Sequence, residues 1–188
     1  MSSFDKILLT NKTIFTTQDF ASIWGLNNIH SLKRRVMYLV KTGKLKRLRK
    51  GIFSIIGRDY DRLELANRLR QPSYISFETV LAQAGITFQY YSSITLVSNL
   101  TRDYEVDGGK YIYRKMKDSI LLNDLGVIKQ QNYFIASPER ALLDTLYLNK
   151  EYYFDNLNSF NFDRAFEIAK IYNSKTLIKA LSKLKNND

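Results

Sequence analysis

Cysteine is absent from this chain, which excludes disulfides, thiolate zinc sites and a cysteine nucleophile, and fits a reducing cytosol. Histidine occurs once, at His30, which argues against both a His/Cys metal site and a Ser-His-Asp triad. No phosphate-cradling loop of the G-x-x-x-x-G-K type is present, and Asp107-Gly108-Gly109-Lys110 reads as a turn. No apolar run approaches the length of a membrane span. Met1-Ser2-Ser3-Phe4-Asp5-Lys6 lacks the charged-then-apolar design of a secretory leader. The expectation is a soluble cytoplasmic protein with no membrane contact, no metal and no cofactor.

The sharpest absence is local. No Asp or Glu occurs from Phe20 to Arg58, while ten Lys and Arg do. Residues 1–71 hold fifteen Lys and Arg against five Asp and Glu, and the remaining residues hold fourteen against thirteen. Nearly all of the net charge of +11 therefore sits in the first third of the chain. A folded segment with that imbalance repels itself unless something anionic lies against it, and nucleic acid is the natural partner. A solvated basic surface without a ligand is the plainer alternative. Hydrophobic content of 45% and aromatic content of 13% give the chain the means to build a core, so this is not a disordered basic tail.

Within the acid-free stretch, Asn27 to Lys41 has helical periodicity. On a wheel of 100° per residue, Ile29, Leu32, Val36, Leu39 and Val40 share one apolar arc that must face a core. The opposite arc carries Asn27, His30, Ser31, Arg34, Tyr38 and Lys41, with Lys33 and Arg35 at its edges. Asn27 or Asn28 suits the N-cap, and Gly43 the left-handed stop. Lys44 to Leu48 and Ile52 to Ile55 flank a glycine corner, Arg49-Lys50-Gly51, and read as a β-hairpin. A helix in a groove with a basic hairpin on the backbone is the winged-helix arrangement. His30, Ser31, Arg34 and Tyr38 are then candidates for reading base edges. Lys33, Arg35, Lys41, Arg47, Arg49 and Lys50 are candidates for gripping phosphates.

Upstream, Ser3 to Leu9 suggests a short helix and Thr13-Ile14-Phe15 a short strand that pairs with the hairpin. Thr16 or Thr17 caps a helix from Gln18 to Trp24 whose Phe20, Ile23 and Trp24 face inward. Asp59 to Arg70 reads as a further helix, stopped by Gln71-Pro72, which sets a boundary between a domain at 1–71 and one at 72–188. The second domain mixes helices and strands. Ser76 is placed to cap a helix over Phe77 to Ala84. Ile94 to Ser98 is a strand, Asp107-Gly108-Gly109 turns a hairpin, and Gly126 to Ile128 pairs with Asn132 to Ala136. Ser137 caps a helix opened by Pro138, apolar on several sides and hence buried, and Phe162 to Tyr172 and Lys175 to Lys185 form two closing helices. The fold class expected is α+β: an N-terminal winged helix-turn-helix domain, then a compact mixed α/β domain ending in helices.

Carboxylates remain as candidates for catalysis. Asp103, Glu105 and Asp107 share one hairpin edge, yet no Glu-x-Lys or Asp-x-Lys pair of a metal-dependent nuclease stands there. Glu139 and Asp144 lie on one helix, where Glu139 suits the positive N-terminal end. The residues point away from an enzyme.

Three ordered motifs resemble a known family. Gly43-x-Leu45-x-Arg47-Leu48-x-Lys50-Gly51-Ile52-Phe53 resembles the wing of the AbiEi-type antitoxins. Tyr74-Ile75-Ser76-Phe77-Glu78-x-x-Leu81 with Gly85-Ile86 resembles the opening of their second domain. Ala136-Ser137-Pro138-Glu139-Arg140-Ala141-Leu142-Leu143-Asp144-x-x-Tyr147 resembles the helix after their strands. The set spans about Gln18 to Tyr147. The resemblance implies an antitoxin of a toxin–antitoxin or abortive-infection locus. Its winged helix would bind inverted repeats in its own promoter, as a monomer in solution or a dimer on DNA. Its C-terminal domain would counter a nucleotidyltransferase-like toxin without a stable complex. Two other readings stay open: a free-standing winged-helix repressor whose second domain dimerises or senses a ligand, and a DNA-targeted metal-dependent nuclease using Asp103, Glu105 and Asp107.

Overall fold

The composition changes from cation-rich to balanced near residue 70, and the chain divides there into two units, residues 1–69 and 70–188. The structure is a computed structural model and describes residues 3–187. Met1 and Ser2, which belong to the stretch read above for a leader, and Asp188 lie outside the described residues. The fold is α+β. Among the described residues no helix is long and apolar enough to cross a membrane.

The first unit runs α1 (Ser3–Leu8), β1 (Ile14–Thr16), α2 (Thr17–Trp24), α3 (Ile29–Lys41), β2 (Leu45–Arg49), β3 (Ile52–Ile55) and α4 (Arg62–Leu69). Its sheet has the order β1-β3-β2, antiparallel throughout. Phe20 is the centre of its core. Its ring stacks on Phe15 at 5.6 Å and Trp24 at 5.0 Å and tilts against Phe53 at 5.7 Å. Leu32, Val36 and Leu39 of α3 close that core with Ile7, Leu45 and Ile55. Each fully buried large side chain of this kind contributes about 1.5–3 kcal/mol.

A capping box fixes where α2 begins. Thr16 Oγ1 accepts the Asp19 amide hydrogen at 3.2 Å, and Asp19 Oδ2 accepts from Thr16 N–H at 2.8 Å. Asp19 also pairs with the Lys12 ammonium. Burial alone would raise the Asp19 pKa. The Lys12 and Thr16 hydrogen bonds outweigh it, so the carboxyl sits below its ordinary value. The helix read as Asp59 to Arg70 starts later, at Arg62, because Asp61 Oδ1 turns back to accept Leu63 N–H at 2.7 Å. Glu64 on α4 is buried and accepts both the N–H and the hydroxyl of Thr13, at 2.9 and 2.8 Å. That bond pair ties α4 to the start of β1.

The second unit runs β4 (Ser73–Ile75), α5 (Glu78–Gln83), β5 (Ser93–Ser98), β6 (Arg102–Val106), β7 (Gly109–Lys115), α6 (Asp118–Leu121), β8 (Val127–Lys129), β9 (Phe134–Ala136), α7 (Pro138–Leu148), α8 (Phe162–Ala169), a 3-10 turn (Lys170–Tyr172) and α9 (Lys175–Asn187). Its six strands form one mixed sheet, β6-β7-β5-β4-β9-β8, with β5/β7 and β4/β9 parallel and the other pairs antiparallel. Helix α7 packs against α5, α8, α9 and β9, and its residues from Arg140 to Leu146 are all buried.

At its centre lies an ion pair with no exposure at either end. Arg140 Nε stands 3.4 Å from Asp144 Oδ1. The guanidinium also donates to the carbonyls of Leu125 and Ile120, each at 2.7 Å, and to the Tyr74 hydroxyl at 3.0 Å. Asp144 accepts hydroxyl hydrogens from Ser76 at 2.7 Å and Tyr172 at 2.6 Å. Burial, reinforced by the Asp144 carboxylate, raises both Tyr74 and Tyr172 well above the usual phenol range, so both remain donors. This network corrects the sequence reading of Ser76. Its hydroxyl feeds Asp144, and the residue before α5 is Phe77, at φ 56°, with no side-chain cap. A buried carboxylate needs donors more than a short helix needs a cap.

Two outcomes test these contacts. Arg140→Ala leaves Asp144 buried without its counter-ion and the Leu125 and Ile120 carbonyls without a donor, and is expected to lower the urea-unfolding free energy by about 3–5 kcal/mol, followed by circular dichroism. Asp19, with its lowered folded pKa, contributes stability above its ordinary value of 3.8 that is lost as pH falls through the lower folded value. An acid titration of Trp24 fluorescence should show that loss, and Asp19→Asn should flatten it.

Candidate nucleic-acid interface

Three local decisions put the cations of the first unit on one side of α3 and on the hairpin. Asn28 starts the helix: its Oδ1 accepts the amide hydrogens of His30 and Ser31 at 2.9 and 3.1 Å. Gly43, at φ 69°, ends it. Its N–H reaches Val40 O at 3.2 Å, and the Lys44 N–H reaches Leu39 O at 2.9 Å, the two bonds of a Schellman close. Between these caps α3 extends about 20 Å. Leu32, Val36 and Leu39 are committed to the core, so whatever lies on the other side must face solvent.

His30, Arg34, Tyr38 and Lys41 follow one another at helical spacing and are all exposed, Tyr38 by 63%. Lys33 and Arg35 flank them, also exposed. Arg35 is not free to move at random, since its guanidinium sits 5.4 Å above the Trp24 ring. Ser31 is half-buried against the start of the helix, the least accessible of the four residues assigned to base reading. Ile29 departs from the sequence reading. Placed on the core arc by the wheel, it is 47% exposed because the first helical residue lies at the end of the packed stripe. Met37, which neither arc included, is exposed as well.

The hairpin carries the rest. β2 and β3 pair with a bulge: Arg47 stands opposite Phe53 and Arg49 opposite Ile52, leaving Leu48 as the extra residue. Arg47, Arg49 and Lys50 are exposed around the turn. Gly51 holds the left-handed conformation there at φ 80°, with Thr17 Oγ1 3.5 Å from where a Cβ would stand. Its carbonyl accepts Thr17 N–H at 3.1 Å, which ties the hairpin tip to the first residue of α2. Lys46 is a further exposed cation on β2 that sequence reading passed over. Lys44, just before β2, is another, and its ammonium stands 5.2 Å from the Phe4 ring. Strand alternation could have flagged Lys46, which points away from the face of buried Leu45.

Among the described residues, Lys33, Arg34, Lys41, Arg47 and Lys50 have no carboxylate partner. All ten sequence-assigned residues lie in α3 or the hairpin that follows it, and the cations among them are all exposed. No protein-family model matches this chain, and no curated protein matches it. The surface must therefore be interpreted from its own chemistry.

The carboxylates considered for catalysis do not converge. Asp103 and Glu105 are exposed on β6, with Asp103 3.7 Å from Lys110, and Asp107 occupies the left-handed turn at φ 50°. Asp144 is enclosed in its own network. Among the described residues no group of three or more His, Asp or Glu side chains is placed to hold a metal ion.

Gly51→Ala is expected to lower the unfolding free energy by about 1 kcal/mol or more through its positive φ, read by Trp24 fluorescence in urea.

Proposed function

We propose that the first unit is a winged-helix module that binds double-stranded DNA, with α3 in the major groove and the β2–β3 hairpin as the wing on the backbone. The observation that carries this reading is the set of exposed cations on α3 and the hairpin, inside a stretch with no acidic residue, of which Lys33, Arg34, Lys41, Arg47 and Lys50 have no carboxylate partner among the described residues. Self-repulsion of that size is relieved by a polyanion, and a helix about 10–12 Å across with one side exposed fits a groove about 12 Å wide. His30, Ser31, Arg34 and Tyr38 read base edges, with Arg34 suited to a bidentate contact with guanine. Lys33, Arg35, Lys41, Arg47, Arg49 and Lys50 hold phosphates and set register.

The wider role proposed is that of an AbiEi-type antitoxin, which represses its own operon through inverted repeats and counters a nucleotidyltransferase-like toxin through the second unit. The support for that step is the ordered set of three motifs, from the wing to Tyr147. Binding rather than catalysis is its chemistry on this reading, with no cofactor, and the cytoplasm is its place of work. A nucleotidyltransferase-like reading frame directly downstream supports the antitoxin, and its absence favours a free-standing repressor.

Titration against the protein's own upstream DNA and a scrambled duplex at several salt concentrations tests the binding. A preference for its own DNA that survives rising salt is expected; equal affinity that collapses with salt contradicts a specific regulator. Arg34→Ala should cost about 1–3 kcal/mol and relax base preference, whereas Lys50→Ala should weaken all sequences alike and reduce the salt slope by about one unit.

A further inference from the structure

The second unit contains a cavity to which neither the DNA reading nor any motif assigns a role. It is an open recess between the loop after α5 and the loop after α7, of about 360 Å³, within the size range of sites for small ligands. The loops are laced together rather than merely adjacent. Asp155 Oδ2 accepts Phe88 N–H at 2.7 Å, and the Asp155 and Asn156 amides both donate to Ile86 O, at 2.9 and 3.2 Å. The cavity is therefore preformed.

Its lining has a definite chemistry. Four aromatic rings contribute, Phe88, Tyr91, Tyr152 and Tyr153. Phe88 is 72% and Tyr153 78% exposed, so both rings are open to a guest. Two carboxylates, Glu151 and Asp155, join them, and none of the described residues that line it is Lys, Arg or His. Arg114, whose charge reaches Tyr152, is already held by Glu78 at 2.8 Å. The tyrosine hydroxyls are arranged as acceptors. Tyr91 donates to Gln89 Oε1 at 2.6 Å, so the 3.3 Å contact between the two phenols uses the Tyr152 hydrogen. Both protons are spent, and both oxygens keep lone pairs. Thr87 also lines the cavity, is only 4% exposed, and its Oγ1 has no hydrogen-bond partner.

Aromatic faces, carboxylates and acceptor oxygens all favour the same guest, and the lack of any cation in the lining disfavours a phosphate. We infer that this cavity binds an organic cation, a guanidinium or ammonium group on an alkyl stem, held by ring faces and by Glu151 and Asp155. The head group belongs to an arginine- or lysine-bearing polypeptide or to a small organic amine. This inference is independent of the DNA-binding reading.

Nuclear magnetic resonance of the tyrosine-labelled full chain tests it. The probes are an acetylated and amidated Gly-Arg-Gly peptide, the same peptide with citrulline for arginine, and n-butylguanidinium. Saturable shifts of the Tyr91, Tyr152 and Tyr153 signals are expected with both cationic probes, and about tenfold weaker binding with citrulline. A peptide that binds more tightly than butylguanidinium identifies a polypeptide guest, and equal binding a small amine. Glu151→Gln and Tyr153→Ala change exposed side chains. Each should weaken the cationic probes by roughly fivefold, with the thermal midpoint and duplex affinity unchanged. No saturable shift with either cation, or citrulline binding as tightly as arginine, overturns the inference.

Discussion

Repulsion among the cations between Phe20 and Arg58 is the constraint to which the first unit answers. No carboxylate in that stretch offsets it, so cohesion has to come from apolar contact. The stacked rings of Phe15, Phe20 and Trp24, with Phe53 against them, supply it, and the buried stripe of α3 completes the closure. Once those residues claim one side of α3, its charges have only the other side to occupy. The surface proposed for DNA is thus a consequence of how the core is built. Arg35 over Trp24 shows the two demands meeting in a single contact.

The second unit handles charge in the opposite way. Its acids and bases are nearly balanced in number, and several are joined inside the fold. Arg140 and Asp144 form a buried pair whose hydrogen-bonding capacity is taken up by two carbonyls and three hydroxyls. Arg114 rests on the Phe77 ring while it meets Glu78. Such pairs contribute little net stability compared with apolar packing, but removing one partner is costly. They fix geometry. Arg140 holds the carbonyls of Ile120 and Leu125 against α7, and Gly126 beside them has no room for a side chain, since a Cβ there would lie 2.9 Å from Ile168 Cδ1.

Features governed by neighbours in sequence were legible before the structure. The turns at Gly43, Gly51 and Asp107-Gly108 follow from the left-handed conformations these residues adopt. The caps at Thr16, Asn28 and Ser137 follow from short polar side chains ahead of helices. Features governed by distant partners were not. The short strand Ser73–Ile75 has too few residues to show a period and exists because β5 and β9 flank it. Ser76 looks like a cap until Asp144, far along the chain, claims its hydroxyl. Glu64, a charged residue on a helix, is buried because Thr13, far back along the chain, donates two hydrogen bonds to it. Within the candidate interface, the wheel placed the charged residues well and erred at Ile29, where the packed stripe ends. The Leu48 bulge leaves no mark in the sequence, because it depends on the register with β3.

Amide-resolved nuclear magnetic resonance of the full chain bound to its own upstream duplex tests the DNA-binding claim most directly. The largest shifts are expected at the amides of His30 to Lys41 and of Arg47 to Gly51, with those of the second unit's sheet little changed. Shifts confined to residues 70–187, or spread evenly over every lysine and arginine of the chain, would contradict a helix in the groove with a wing on the backbone.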